Sequence, residues 1–159
     1  MKSRYRPMAL GTLLAISYAV IAADTADPVI GSWKLNATMS QVRAGPALGK
    51  SDTRTYTTSA AGVTLTRKQV TAEGKEITAT STSNYDGKDY SIKGSPDFDT
   101  GNAKRVDTYT VETTLKRHGK VVGQSKRSVS NDGKTLTVVT KGTNANGDPV
   151  DVTLVYDRQ

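Results

Sequence analysis

The chain contains no cysteine. Disulfides and thiolate metal sites are therefore excluded, so burial and hydrogen bonding alone must hold the fold together. Histidine occurs only once, at His118, in a His-Gly pair beside Arg117 and Lys120 that is typical of an exposed turn. No nucleophile motif or closed calcium loop accompanies it. The sequence thus predicts no enzyme, no metal site and no cofactor.

No apolar run reaches the length of a typical membrane-spanning helix. The longest, from Met8 to Ala23, is short, is interrupted by polar residues and follows a basic start containing Lys2, Arg4 and Arg6. This is the layout of a secretory signal, and we expect cleavage after Ala22 or Ala23. An uncleaved anchor is the alternative. The prediction is a signal peptide over 1–23, one domain over 24–159, a periplasmic or secreted location and no stable membrane anchor after cleavage.

Runs of basic residues are also lacking. The net charge of the whole chain is +7, but three of its 22 basic residues precede residue 24 and no acidic residue does. The remaining domain carries +4, spread along the chain, which is ordinary for a soluble protein. Aromatic residues do not alternate with the basic ones, so we expect no nucleic-acid partner and a monomeric protein.

Bulky core residues are scarce. From residue 24 onward only 24 of 136 residues are Leu, Ile, Val or Phe, a share low enough to raise the question of disorder. Regular turn signals and the modest charge argue against disorder. A barrel with an incompletely filled interior explains the scarcity better, because eight or more strands enclose either packed side chains or a cavity.

What the sequence does contain is strand and turn. Thr and Val are frequent, and turn dipeptides recur at intervals of about a dozen residues: Ala61-Gly62, Glu73-Gly74, Asp86-Gly87, His118-Gly119, Asp132-Gly133 and Asn146-Gly147. The predicted strands are 30–37, 52–59, 63–72, 76–85, 88–93, 103–107, 109–117, 120–130, 134–143 and 149–158. The fold class is therefore all-β: an antiparallel up-and-down meander of about 8–10 strands closed into a barrel, with at most a helical turn in 38–51.

The alternation of side chains predicts which residues face inward. Tyr109, Val111, Thr113 and Leu115 share one face, as do Val150, Val152, Leu154 and Tyr156. Two other inward sets are apolar at their ends and small or polar between: Ile77, Ala79, Ser81, Ser83 and Tyr85, and Val121, Gly123, Ser125, Arg127 and Val129. These sets favour an internal cavity, with a fully packed barrel as the alternative.

Gly31-x-Trp33 at the start of the first strand resembles the calycin superfamily, which includes lipocalins and fatty-acid-binding proteins. The lipocalin resemblance implies that Trp33 plugs the closed end of the barrel and that Arg158 covers it. Residues 91–99 and the hairpin from Asp132 to Arg158 are similar to fatty-acid-binding proteins. As a whole, the chain resembles small exported bacterial lipocalin-like proteins of unassigned function.

Two departures separate the chain from fatty-acid-binding proteins. Those proteins hold the ligand carboxylate with an Arg-x-Tyr on the last strand, whereas Leu154-Val155-Tyr156 stands here, so only Tyr156 is carried over. The segment 38–51 is also too short for their helical lid and suits a lipocalin-like loop.

Arg127 is the main candidate ligand-binding residue. Side-chain parity places it inside with Val129, and a buried arginine requires an anion. With Tyr109, Tyr156 and Tyr85 it could hold a ligand carboxylate; a bulge that reverses its facing, or a structural ion pair, is the alternative. We therefore expect an exported barrel that binds a small hydrophobic or amphipathic, fatty-acid-like ligand. A surface-acting envelope, inhibitor or stress protein is the alternative, and an isomerase-like or hydrolytic barrel ranks third.

Overall fold

Residues 27–159 are described by a computed structural model, and they form a single antiparallel sheet of eleven strands. The strands are β1 (Gly31–Leu35), β2 (Gln41–Ala44), β3 (Ser51–Ser59), β4 (Gly62–Val70), β5 (Glu76–Ser83), β6 (Asp86–Lys93), β7 (Thr100–Arg105), β8 (Thr110–Arg117), β9 (Lys120–Val129), β10 (Thr135–Thr143) and β11 (Pro149–Arg158). In this part of the chain there is no helix with the length and apolarity that crossing a membrane requires. The predicted signal peptide at 1–23 lies outside the described residues.

Ten of the strands close into a barrel. From β3 to β11 each strand pairs with the next one in sequence, and β1 completes the ring by pairing with both β3 and β11. The closing seam sets Trp33 opposite Arg158 and Leu35 opposite Tyr156. The predicted antiparallel meander closed into a barrel is therefore confirmed, and the architecture fits a calycin-like fold.

Two strands differ most from the sequence prediction. Strand β7 begins at Thr100 instead of 103, because Gly101 and Asn102 already pair with β8. Strand β2 was expected to be loop. It forms because β1 occupies only the last part of β11, and a register shift at Asp151/Val152 lets residues 41–44 pair with the free earlier part.

One end of the barrel is plugged by Trp33, which is 0% exposed and packs against Val29, Tyr56, Leu136 and Tyr156. Its indole Nε1 donates a 2.8 Å hydrogen bond to the carbonyl of Val29. A buried tryptophan needs this partner for its one polar atom, so the indole is held both by packing and by a directed bond.

The guanidinium of Arg158 lies 4.2 Å from the centroid of the Trp33 ring, as the lipocalin resemblance implies. Its nitrogens donate to the carbonyls of Pro28, Ile30 and Gly133, which ties the N-terminal segment to the β9–β10 turn. Gly31 leaves room for this arrangement: its φ is +131°, and a Cβ atom there would lie 2.8 Å from Nη1 of Arg158.

The opposite end of the barrel is called here the mouth. Because the strands alternate in direction, the segments 45–50, 71–75, 94–99 and 144–148 all reach this end. Arg117 joins two of them, since it donates to the carbonyls of Asp97 and Ala145. Asp97 in turn accepts a hydrogen bond from the amide of Ala145. Two of the mouth segments, 94–99 and 144–148, are thus fixed to each other at the entrance to the interior.

Candidate ligand-binding site

The barrel interior holds a cavity of about 390 Å³, within the range of small-molecule sites. Most of its wall is aliphatic or aromatic, with side chains from nearly every strand: Val42, Val63, Leu65, Ile77, Ile92, Val111, Leu115, Val138, Val152 and Leu154. Phe98 lines it from the mouth. An apolar wall of this extent suits the hydrocarbon part of a ligand.

Small residues at the middle of the strands create the space. On β5 the predicted inward set, from Ile77 to Tyr85, lines the cavity in full. Its central members, Ala79 and Ser81, leave room that a leucine or isoleucine would fill. Ser125 on β9 and Ala103 on β7 do the same across the barrel. The scarcity of bulky residues in the sequence therefore corresponds to an interior that is only partly filled.

Arg127 extends from β9 into this cavity. It is 9% exposed, and its guanidinium carbon lies 5.0 Å from the centroids of both the Tyr56 and Tyr85 rings. Nη1 is buried and has no hydrogen-bond partner among residues 27–159. Two aromatic faces thus hold the charge in place, while at least one of its donors remains available to a ligand.

Two sequence expectations around Arg127 fail. Val121 is 63% exposed, because a bulge between β8 and β9 inserts Val122 and reverses the facing at that end of the strand; Ser125, Arg127 and Val129 keep the predicted side. Tyr109 is 38% exposed in the turn before β8 and does not line the cavity. The structure therefore brings Arg127 and Tyr85 together but leaves Tyr109 outside.

A second polar cluster lies on β3, β4 and β11. Oδ2 of Asp52 accepts hydrogen bonds from Nε and Nη2 of Arg67, at 2.9 and 2.6 Å, and from the hydroxyl of Tyr156 at 3.1 Å. The Tyr156 hydroxyl also accepts from Nε of Arg54 at 2.9 Å. Tyr156, expected to contact the ligand carboxylate, is instead held between Asp52 and Arg54. Oδ1 of Asp52 is buried without a partner in the described chain.

Sequence reasoning missed Asp52, Arg54, Arg67 and Tyr56 as interior residues. A signal was present, because Asp52, Arg54 and Tyr56 alternate with Thr53, Thr55 and Thr57 along β3. Period-two alternation therefore places these three on one face, and Tyr56 is the apolar member that marks it as the inner one. Arg67 then follows from the β3–β4 register, which sets it directly opposite Arg54.

Burial changes the acidity of two tyrosines near the arginines. It raises the pKa of Tyr85 and of Tyr156 to about 12 each, although Arg127 and Arg54 respectively act in the lowering direction. Both hydroxyls therefore stay neutral at physiological pH. They can donate or accept hydrogen bonds, but they cannot balance the charges of the arginines.

This burial predicts an alkaline instability. The unfolded chain releases these two protons near pH 10 and the folded one near 12, so stability present below pH 10 is lost as the pH rises toward 12. A tyrosinate absorbance titration of the folded protein should show two tyrosines ionising late, and Tyr85→Phe should remove one of them. Ionisation of every tyrosine near pH 10 in the folded protein would contradict this prediction.

Comparisons with known proteins return no relative. This chain matched no family model, no curated protein and no solved structure.

Proposed function

We propose that this protein is an exported β-barrel that binds a small amphipathic molecule with an anionic head group in its interior. Export rests on the signal-like layout of residues 1–23. The Gly31-x-Trp33 motif with Arg158 over the indole supports placing the barrel among the lipocalin-like and fatty-acid-binding-like calycins. The proposed role is to carry or sequester the molecule without converting it.

Arg127 is the observation that carries the proposal. A guanidinium that is buried in an apolar wall and lacks a carboxylate partner among residues 27–159 loses much of its hydration energy without full compensation. An anionic group of a ligand would restore that compensation through charge-assisted hydrogen bonds. The remaining cavity, lined by aliphatic side chains, would take the apolar part of the same molecule.

The space inside also weighs against a purely surface-acting protein. Such a protein gains nothing from a hollow interior, and filling the cavity with larger side chains would raise its stability. Here small residues occupy the middle of β5 and β9, where the cavity lies.

Native mass spectrometry of the protein purified from the export compartment is the direct test. We expect a co-purified lipid or amphipathic metabolite, or binding of added decanoate at one site per barrel. In Arg127→Glu the affinity for decanoate should fall by at least about tenfold, because a charge-assisted contact is replaced by repulsion. Arg127→Gln, which removes the charge without reversing it, should show a smaller loss in the same direction.

Lys126→Glu is the matched control. Lys126 is the neighbouring residue on β9, but its side chain points outward and is 57% exposed beside Glu112. The same charge reversal on the outer face should leave decanoate affinity unchanged within about threefold. If Arg127→Glu binds the same acyl ligands as tightly as the parent protein, the proposed head-group site is wrong.

A further inference from the structure

The charges inside the barrel do not balance. Away from the mouth, four ionisable side chains line the cavity: Asp52, Arg54, Arg67 and Arg127. Asp52 forms a salt bridge with Arg67, whereas neither Arg54 nor Arg127 has a salt bridge within residues 27–159. One carboxylate thus faces three guanidinium groups, which leaves two uncompensated positive charges.

Neighbouring carboxylates do not neutralise these two positive charges. Asp27 lies near Arg127, but it is paired with Arg105, whose guanidinium stacks on Tyr85, the ring that also contacts Arg127. Glu73 and Asp97 also line the cavity, but both lie in the mouth segments, and neither forms a salt bridge with any of the three arginines. Tyr85 and Tyr156 add no negative charge, since a tyrosine hydroxyl with its ordinary pKa near 10 is neutral at physiological pH and burial raises the pKa of both further.

Tyr56 is a neighbour of both uncompensated cations. The Arg127 guanidinium carbon is 5.0 Å from the centre of the Tyr56 ring. Arg54 is two residues before Tyr56 on β3, so both point to the same side of the strand with Cα atoms roughly 7 Å apart. The Arg54 guanidinium carbon also lies 5.0 Å from the centre of the Tyr156 ring. Arg54 and Arg127 thus reach the neighbourhood of Tyr56 from different strands, and a head group placed beside Tyr56 could contact both.

We propose that the ligand head group carries two negative charges and is held between Arg54 and Arg127 beside Tyr56. This inference rests on the proposed function and narrows it. A monoanion would compensate only one guanidinium, whereas a dianion compensates both without burying a further charge. A phosphate monoester has this chemistry on one centre, with three acceptor oxygens for two planar donors. Two carboxylates on neighbouring carbons are the other source of the same charge.

The test compares four head groups on one ten-carbon chain. The purified protein, expressed from the full chain, is titrated by calorimetry with decyl phosphate, decyl sulfate, decylsuccinate and decanol. The pH is about 8, where a phosphate monoester is a dianion. Sulfate has the tetrahedral shape of phosphate but only one charge. We expect decyl phosphate to bind about tenfold more tightly than decyl sulfate, and decanol to bind most weakly. If decylsuccinate binds more tightly than decyl phosphate, the preferred dianionic head group is a dicarboxylate.

Two further measurements assign the preference to the arginines. The second pKa of a phosphate monoester is about 6, so near pH 5 decyl phosphate is a monoanion like decyl sulfate. In the unmutated protein the ratio of the two affinities should therefore fall toward one. Arg54→Gln should reduce the preference for phosphate over sulfate by about tenfold, while Lys68→Gln, an exposed residue next to Arg67, should leave it intact.

The possible failures are distinguishable. The dianionic head group would be overturned, with the proposed function left standing, if neither decyl phosphate nor decylsuccinate bound more tightly than decyl sulfate at about pH 8. A phosphate preference that survives in Arg54→Gln would overturn it as well. If none of the four probes binds, the proposed function fails with it. The pH comparison needs no variant, so the inference remains testable even if Arg54→Gln does not fold.

Discussion

Trp33→Ala should lower the free energy of unfolding by about 3–5 kcal/mol, the range for a large aromatic side chain removed from a core. Trp33 is fully buried, and its removal would leave a void among Val29, Tyr56 and Leu136. It would also remove the aromatic face beneath Arg158 and leave the Val29 carbonyl without its indole donor. Chemical denaturation followed by circular dichroism measures the change, because the variant has no tryptophan fluorescence.

Two further variants test whether the loss of stability is specific to the buried Trp33 side chain or would follow from removing any aromatic residue. Trp33→Phe keeps most of the buried area but loses the indole donor, so its cost should be smaller than that of the alanine. Tyr109→Ala removes an aromatic that is 38% exposed outside the cavity and should change stability by less than about 1 kcal/mol. A Trp33→Ala protein that melts within a few degrees of the parent would show that Trp33 is not the plug.

Asp52→Ala should be the second large effect, costing about 3 kcal/mol or more. Asp52 is 2% exposed, and its one bonded oxygen accepts from both Arg67 and Tyr156. Removing it leaves two arginines directly opposite each other on β3 and β4, Arg54 and Arg67, without the carboxylate that pairs with Arg67. Denaturant unfolding of the variant and the parent under the same conditions measures this cost.

The comparison that isolates this effect uses Asp89, which forms an exposed salt bridge with Lys116 on the outer face. Asp89→Ala should cost less than about 1 kcal/mol, since surface pairs contribute little. The double variant Asp52→Ala/Arg67→Met should recover part of the loss, because it removes the charge left unpaired. Equal costs for Asp52→Ala and Asp89→Ala would contradict the structural role assigned to Asp52.

The fold followed from local signals that the sequence displays directly. Asp132-Gly133 and Asn146-Gly147 separate alternating runs, and both glycines have positive φ in hairpin turns. In such a meander each strand pairs with the next strand in sequence, so the order of the strands in the sheet can be predicted from the turns alone. Closure could be inferred because an open sheet of ten strands would leave two unpaired edges.

The site was less accessible from sequence because it depends on register across strands. One inserted residue, Val122, turns Val121 outward while Arg127 stays inside. The contact of Asp52 with Tyr156 joins residues 104 positions apart across the closing seam, and no local sequence pattern predicts it. Tyr109 was misplaced because it lies one residue before β8 begins, where alternation no longer fixes the facing.

The seam between β1 and β11 determines when this protein can become folded. Every other pair of neighbouring strands in the barrel is also consecutive in sequence among the ten barrel strands. The seam instead pairs Trp33 with Arg158, residues from opposite ends of the domain sequence. The ring therefore cannot close until the whole of β11 is present and free to pair with β1. Until then β1 and β10 are exposed edges able to pair with other chains. Products truncated before β11 should consequently aggregate instead of forming a smaller barrel.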